Sequence, residues 1–464
     1  MVAMDAMKQA LASPDAALKI GIPVLFVLLA IMYFSMSAWY KNQYGLFRSE
    51  ANSINDLLAI RRQHLQSRIG PLTPAYNSVS GKLLAKDGVY RQITEDKTAI
   101  VNWRPLTVRM AGYLGGDKTV RDGVFDMNVG IQLALQCGAR CFIFDIDYLE
   151  DRPCEPRLIH RDDQGIMRSL HTASVKDGME ALHRMAFNTN YDPVLVVVYF
   201  RRLPPGRRQQ DSFIKATAAA LAPLSTFHLG STEQGNFHNC RSENQLFTTE
   251  ITSFQKKFIV LCNYNTNLLT PTPNPKDNLD FWTNARLYVD PSGTSALLGP
   301  VTASVPNGQV AYAKVGATQQ LLQVPQDSVA NYNTATSNTF TIALGTMEDV
   351  FTTAQLSTLL NTLGIQSVPM DILRLAALDE HVKTLTNPPG ANSVADLSNA
   401  TNPNDPLSFW THAGWSRKRI IEGFEDMKPV PVAANIPGFV IPKAVVPKKP
   451  PPSSNSNGGL VNIG

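Results

Sequence analysis

Residues 136–148 read QCGARCFIFDIDY, a short turn followed by an apolar run that ends in two aspartates. Short apolar runs of this kind recur along the chain, and helix-like stretches separate them. Nearly continuous apolar strands that alternate with helices are typical of a parallel sheet covered on both faces. The other runs lie at 106–111, 157–160, 194–200, 257–263, 285–289 and 339–344, and the helix-like stretches lie at 129–138, 174–187 and 213–224.

This alternation predicts an α/β fold, a TIM-like (β/α) barrel that covers residues 101–380. An open doubly wound sheet is the alternative architecture for the same pattern. The sequence has no glycine-rich phosphate loop after the first apolar run, and that absence favours the barrel.

Composition excludes several broad classes of protein. The chain has 464 residues, of which 44% are hydrophobic and 17% charged, so it can form a large core and is not globally disordered. Its formal net charge of +4 is too small to indicate nucleic-acid binding, which needs a dense, one-sided basic surface. Its five cysteines are an odd number in a long chain, which excludes a secreted protein built on disulfides.

Residues 20–40 carry no charge and read IGIPVLFVLLAIMYFSMSAWY. A helix of this length spans about 30 Å, the thickness of the bilayer's hydrocarbon core. It ends in Trp39 and Tyr40, aromatic residues typical of the membrane interface. The sequence therefore predicts a transmembrane helix, a single-pass anchor in a lipid bilayer, after a short tail at 1–19. A cleaved signal peptide and a buried core helix are the alternatives.

The remaining segments differ in composition from the predicted barrel. Residues 41–100 are interpreted as a stalk or linker, and residues 291–338, rich in Thr, Ser, Asn, Gly and Gln, as a polar insertion in the barrel. Residues 381–428 form a C-terminal extension, and the Pro-rich composition of residues 429–464 predicts a disordered tail. We expect the Pro-rich tail and the polar insertion to contact partner proteins.

Polar side chains stand at the ends of three predicted strands. Asp145 and Asp147 end one strand, His160 ends another, and Tyr199 with Arg201 ends a third. Active sites of β/α barrels lie at the C-terminal ends of the strands. A carboxylate, an imidazole and a guanidinium at one mouth would suit phosphate-ester chemistry, in which a positive clamp stabilises charge and a histidine moves a proton. Purely structural roles for Asp145 and His160 are the alternative.

The stretch RRLPPGRR at 201–208 places four arginines around a turn after the fourth predicted strand. Such a cluster could bind anionic lipid headgroups or an acidic partner, and a solvated loop is the alternative. No metal site is predicted, because the cysteines and histidines complete no zinc ligand set. The candidate anion-binding residues are Arg201, Arg202, Arg207 and Arg208.

Four motifs follow one another in a fixed order. Residues 136–147 lead from a helix into a strand that ends in aspartate, 157–160 read RLIH, a helix ends in MAF at 185–187, and 192–200 read DPVLVVVYF. This order resembles the X-type catalytic domain of phosphatidylinositol-specific phospholipase C, and more specifically the divergent phospholipase-C-like proteins of large DNA viruses. The resemblance covers about 100–290.

The resemblance implies two catalytic histidines, which such enzymes use as base and acid when the inositol 2-hydroxyl attacks the phosphodiester. His160 matches the second histidine, and Tyr113 occupies the position of the first. Losing a positioned acid or base typically lowers the rate by about 10²–10⁴-fold. The resemblance therefore implies a degenerate catalytic site.

The calcium-dependent branch of the family has three further ligand positions beside the strand aspartate. This chain keeps Asp145 and has Leu114, Ile143 and Tyr199 at the others, whereas Ca²⁺ takes six to eight oxygen ligands. The metal-free branch has an arginine where this chain has Asp147. No cofactor is therefore implied, and Ca²⁺ would be one only if the chain is an enzyme.

The sequence predicts a membrane-anchored phospholipase-C-like protein that has lost catalysis and acts as a structural or binding module. The resemblance to viral proteins implies a component of a virion or viral membrane. The alternative is an active phosphodiesterase that cleaves phosphoinositides or another phosphate ester with His160, Asp145 and Arg201. A third hypothesis is a passive binder of lipid headgroups through residues 201–208.

Overall fold

The structure is a computed structural model, which divides the chain into two compact units, residues 1–64 and 65–464. The residues that it describes are 23, 25–38, 56, 58–59, 62–63, 82–84, 90–92, 99–114, 123–136, 138–162, 164–188, 190–230, 246–266, 269, 272–289, 312–345, 351–369 and 415–417.

In the first unit, residues 25–38 form a helix whose apolar side chains are exposed. Tyr33 and Phe34, for example, each expose 70% of their surface. Among the described residues, no helix is both long enough and apolar enough to cross a bilayer. The predicted span at 20–40 extends beyond this helix into residues that the structure does not describe, so the anchor stays a prediction.

The described part of the second unit contains three β-sheets, and the largest of them carries the core. The strands are β1 Lys82–Leu84, β2 Tyr90–Gln92, β3 Trp103–Pro105, β4 Thr107–Arg109, β5 Tyr113–Leu114, β6 Val124–Phe125, β7 Cys141–Leu149, β8 Arg152–Leu158, β9 Ala173–Ser174, β10 Val194–Phe200, β11 Phe258–Cys262, β12 Ala285–Val289, β13 Tyr312–Ala317, β14 Thr341–Leu344 and β15 Trp415–Arg417.

Seven strands of the large sheet run parallel in the spatial order β4, β7, β10, β11, β12, β13 and β14. Neighbouring parallel strands need crossover connections, and helices lie in all of them except that at 290–311, which the structure does not describe. The crossover helices are α1 Met127–Gln136, α2 Val175–Met185, α3 Arg207–Ala220, α4 Leu279–Trp282, α5 Thr318–Leu321 and α6 Val329–Asn338, and a further helix, α7 Thr353–Ser357, follows β14.

The sheet curls until both of its edge strands contact one short segment. Thr107 of β4 forms a parallel bridge with Pro369, and Ile342 of β14 forms one with Ser367. The Ser367 hydroxyl also lies 2.8 Å from the Thr107 hydroxyl. The prediction of a mixed α/β fold with a parallel sheet is therefore confirmed, and the curl of the sheet agrees with a barrel-type fold.

Every second residue of the central strands points into the curled sheet, as strand geometry requires. Ile143 of β7 and Val197 of β10 belong to this buried cluster. Trp103, Phe340 and Trp415 continue the cluster, and the Trp415 indole donates a hydrogen bond to the Pro193 carbonyl, just before β10 begins. Aromatic side chains thus fill the end of the core opposite the C-terminal ends of the strands.

The predicted polar insertion at 291–338 does not hold for residues 312–338. Residues 312–317 form β13, which lies between β12 and β14, and residues 329–338 form α6. β13 alternates buried Ala313 and Val315 with half-buried neighbours, and α6 buries mainly Asn333 and Thr336. From their polar composition alone, the sequence did not show that these residues form a strand of the large sheet and a helix.

Two further expectations are corrected by strand pairing. The run at 157–160 was expected to be a parallel barrel strand, but β8 pairs antiparallel with β7 and β9. The stalk at 41–100 and the extension at 381–428 were expected to be segments separate from the barrel. However, β1 of the former pairs with β15 of the latter, and β15 pairs with β3 at the start of the predicted barrel. Burial of Trp415 holds this small sheet against the core. The Pro-rich tail lies outside the described residues.

We expect Trp415→Ala to destabilise the full chain by about 3–5 kcal/mol, because it removes a fully buried aromatic side chain. Trp415→Phe keeps most of the apolar contact but leaves the Pro193 carbonyl without the indole, and should cost about 1–3 kcal/mol. Denaturant unfolding measures both losses. Tyr332→Ala, at a partly exposed site on α6, is the control and should change stability by about 0.5 kcal/mol or less. Wild-type stability in Trp415→Ala would contradict the role given to this strand.

Candidate functional site

The C-terminal ends of β4, β7 and β10 meet at one edge of the curled sheet, because these neighbouring strands are parallel. Arg109 ends β4, and Asp145 lies in β7 beside Tyr199 of β10 in the strand register. Arg201 follows β10 on the same side as Tyr199, since successive residues of a strand alternate. The predicted meeting of polar groups at the mouth therefore involves Asp145, Tyr199 and Arg201.

Asp145 is fully buried and forms a two-point ion pair with Arg109. The Arg109 Nε donates to one carboxylate oxygen at 2.7 Å and a terminal nitrogen to the other at 2.5 Å. The remaining terminal nitrogen donates to the Gly345 carbonyl at 2.9 Å, after β14. Sequence reasoning missed Arg109, although its position at the end of the first strand was the available signal. Charge-assisted bonds of this geometry are strong and directional.

Tyr199 keeps its proton beside this ion pair. Burial raises the pKa of its phenol above the ordinary value, and the Asp145 carboxylate also raises it, while Arg109 and Arg201 act in the opposite direction. Arg201 is half-buried, and within the described part of the chain no carboxylate lies within ion-pair distance of it. The mouth therefore contains a buried neutral phenol, and beside it a guanidinium whose charge is not neutralised by a described carboxylate.

Arg202 is engaged elsewhere, contrary to the prediction that it binds anions. Its Nε donates to the buried Asp147 at 2.7 Å, and a terminal nitrogen donates to Glu150 at 2.9 Å. Arg161 holds the other oxygen of Asp147 at 2.8 Å. The Arg202 guanidinium also stacks on the Tyr148 ring, with its central carbon 4.5 Å from the ring centroid. This network joins the β7–β8 hairpin to the loop after β10 and uses the charge of Arg202.

The four arginines of 201–208 do not form one anion-binding surface. Arg207 and Arg208 are exposed in the first turn of α3. Arg207 lines an outer groove that also contains Asp211 and Asp277, so acidic groups lie close to it. Of the four candidates, only Arg201 lies at the mouth without a described acidic partner.

His160 is 4% exposed and stacks face to face on Tyr113, with ring centroids 4.2 Å apart and ring planes 1° apart. The structure thus brings His160 and Tyr113 together, as the resemblance implies. The His171 Nε2 accepts a hydrogen bond from the Phe125 amide at 3.3 Å. The Phe125 ring contacts both Tyr113 and His171.

The residues present do not fit the Ca²⁺ that the resemblance raised as an option. Both oxygens of Asp145 bind Arg109, and the other ligand positions hold Leu114, Ile143 and Tyr199, which supply no carboxylate. In the described ranges, no cluster of three or more His, Cys, Asp or Glu side chains could hold a metal ion. A guanidinium occupies the place at Asp145 where the cation would bind.

We expect Arg109→Met to destabilise the protein by about 3–5 kcal/mol, because it leaves the buried Asp145 charge without its partner. The double variant Arg109→Met with Asp145→Leu should recover most of that loss, since two apolar side chains need no countercharge. Thermal and denaturant unfolding of both variants measure the difference. If the double variant is no more stable than Arg109→Met, the ion pair does not carry this energy.

Comparison with known proteins gives structural neighbours only. No protein-family model matches the chain, and no curated protein matches it. Similar solved structures include PLC21 of L. pealei, with 14% identity and a TM-score of 0.43 over 60% of this chain and 34% of that one. They also include PLC21 of S. officinalis, with 12% identity and a TM-score of 0.45 over 71% of this chain and 39% of that one. The chain therefore spans less than two fifths of the length of either relative.

A third neighbour is the apo form of a calcium-dependent phosphoinositol-specific phospholipase C from Pseudomonas sp.. It is 9% identical, with a TM-score of 0.37 over 59% of this chain and 90% of that one. At these identities and TM-scores, the likeness concerns the fold and assigns no activity. The chain is similar to phospholipase C structures, the family that the order of its motifs resembles.

Proposed function

We propose that this chain is a membrane-anchored protein whose phospholipase-C-like barrel binds an anionic group and does not cleave phosphodiesters. The observation that carries the proposal is the pairing at the mouth, where Arg109 occupies both oxygens of Asp145 and Tyr113 covers His160. These contacts use the very groups that hydrolysis would need.

Cleavage by in-line attack needs a base on one side of the phosphate and an acid on the other. His160 is the one catalytic histidine that the resemblance leaves in this chain, and a tyrosine ring lies flat against it. Tyr113 offers a phenolic hydroxyl in place of the imidazole that most often serves as general base. The missing first histidine therefore has no substitute in this arrangement.

Binding of an anion needs a positive charge and hydrogen-bond donors but no acid–base pair, and Arg201 supports such binding. The Arg201 guanidinium has no acidic partner among the described residues, so it offers charge and hydrogen-bond donors to a phosphate group. The half-buried position of Arg201 limits screening by solvent and so strengthens its attraction for an anion.

The cellular setting of the proposal comes from the sequence. The uncharged residues 20–40 and the exposed apolar side chains of the helix at 25–38 support a lipid bilayer as the partner of this segment. The resemblance to phospholipase-C-like proteins of large DNA viruses supports a virion membrane as that bilayer. The Pro-rich residues 429–464 would then reach a protein layer beside the membrane.

An active phosphodiesterase is the second candidate, and one observation favours it. Arg109 keeps a positive charge beside the mouth, where a metal-free enzyme would use it to stabilise a charged transition state. In that case His160 would move the proton and Arg201 would hold the phosphate, after displacement of the Tyr113 ring.

Turnover measurements separate the two candidates. The full chain in detergent micelles, incubated with phosphatidylinositol or lysophospholipid, should show no turnover above buffer, with Ca²⁺ or with EDTA. His160→Ala and the control His183→Ala, on α2, should behave like the wild type. Turnover that is present in the wild type and His183→Ala but lost in His160→Ala would establish the enzyme and overturn the proposal.

Anion binding at the mouth predicts that inorganic phosphate raises the melting temperature of the full chain, because a ligand stabilises the folded state it binds. Arg201→Gln should reduce this increase to the level of a chloride buffer of equal ionic strength. The matched variant Arg208→Gln, in the same loop region but on exposed α3, should keep it. Equal phosphate effects in the two variants would show that Arg201 is not the binding residue.

A further inference from the structure

A second carboxyl group is buried at the end of the core opposite the mouth. Residues 190–193 lead into β10, and Asp192 among them is 1% exposed. Its Oδ2 has no hydrogen-bond partner in the described part of the chain, and no described arginine, lysine or histidine lies within ion-pair distance of it. Asp145 is also buried, but both of its oxygens bind Arg109. A negative charge on Asp192 therefore lacks the compensation that Asp145 has.

The segment that holds Asp192 joins the barrel to the small sheet. On one side of Asp192, the Tyr191 carbonyl accepts a hydrogen bond from the Lys256 amide at 2.8 Å, just before β11 begins. On the other side, the Pro193 carbonyl accepts the hydrogen bond of the Trp415 indole from β15 at 3.0 Å. The buried carboxyl thus lies between the two contacts that connect β10 to β11 and to β15.

Arg140, directly before β7, is the charged group that acts on this carboxyl. Its own side chain is buried, and its Nη1 donates to the Ala186 carbonyl at 2.8 Å. The charge of Arg140 and the Asn190 side chain favour the ionised form, but burial outweighs both. The Lys256 ammonium lies over the Tyr191 ring, 3.9 Å from its centroid. The other titratable residues on the elements around the segment are Arg104, His183, Arg184, Lys257 and Arg417.

We infer that Asp192 is a proton-binding site that stabilises the junction between the barrel and the small sheet: the neutral carboxylic acid suits its buried position, and ionisation destabilises the two contacts beside it. A proton removes the charge, and a neutral polar group is far less costly to bury than an ion. The junction is therefore most stable in mild acid. This inference is independent of anion binding and turnover at the mouth, which lies at the opposite end of the strands.

The pH range follows from the pKa of Asp192 in the two states of the chain. Burial raises this pKa from 3.8 to about 6 in the folded protein, so the folded state binds a proton that the unfolded state has already released. The stability that the proton contributes is complete below pH 3.8 and is lost as the pH rises through about 6. Between pH 5 and pH 7.5, ionisation of Asp192 should raise the unfolding equilibrium constant about tenfold.

Asp192→Asn tests the site, because the amide has nearly the same shape and cannot ionise. Denaturant unfolding of the full chain in detergent, at pH 5 and pH 7.5 and equal ionic strength, gives the unfolding constants. The ratio of the wild-type constant to the Asp192→Asn constant should be about tenfold larger at pH 7.5 than at pH 5, since the ratio cancels the titration of the other groups. For the control Asp327→Asn, at an exposed site before α6, the ratio should be the same at both pH values. A constant ratio for Asp192→Asn would overturn the inference.

Hydrogen exchange tests the link to the junction. In peptides that contain Trp415 or Lys256, the protection that Asp192→Asn gains over the wild type should grow about tenfold from pH 5 to pH 7.5. If the variant and the wild type protect these peptides equally at pH 7.5, the proton does not stabilise the junction.

Infrared titration of the wild type tests the proton even if Asp192→Asn does not fold. The folded chain should show the carbonyl band of a protonated carboxylic acid that disappears as the pH rises through about 6, and the urea-unfolded chain should lack this transition. Absence of the transition in the folded chain would show that Asp192 is ionised throughout this range and would overturn the inference.

Discussion

A carboxylate with no exposed surface needs a countercharge, and in this barrel Asp145 obtains it from Arg109. This ion pair determines which charged groups and ligand atoms are available at the C-terminal ends of the strands. It fills the coordination of Asp145 with a guanidinium, so no oxygen is left for a cation. It also spans β4 and β7 and reaches the carbonyl of Gly345 after β14, which ties three strands of the curled sheet together.

The sequence predicted most of the sheet because burial leaves a direct trace in composition. β7, β10 and β11 are buried at nearly every position, and their residues are apolar apart from Asp145 and Asp147 of β7. β13 and α6 left a weaker trace, because they expose alternate residues and bury Asn and Thr by hydrogen bonding. The antiparallel pairing of β8 could not be predicted, since an apolar run does not record the direction of its neighbour.

The sequence singled out residues of the candidate site but did not predict their contacts. Asp145 lies beside Tyr199 at the C-terminal ends of the strands, and His160 stacks on Tyr113. The partners of these residues come from distant points: Arg109 lies 36 residues before Asp145, and Arg202 lies 55 residues after Asp147. Long arginine side chains can reach several acids at a strand end, and only the three-dimensional packing decides which acid each one binds. In the sequence, the four arginines of residues 201–208 therefore looked like one surface. In the structure, Arg201, Arg202 and the pair on α3 have different surroundings.

The small sheet has a consequence for how the nascent chain matures. β15 lies between β1 and β3, and its Trp415 reaches Pro193 across 222 residues of sequence. The hydroxyl contact between Thr107 and Ser367 spans 260 residues. Contacts of such long sequence separation slow folding, because loop-closure entropy must be overcome before they form. This sheet cannot be completed until residue 417 has been synthesised, so during translation the growing polypeptide exposes its unfinished edges to chaperones and to neighbouring chains.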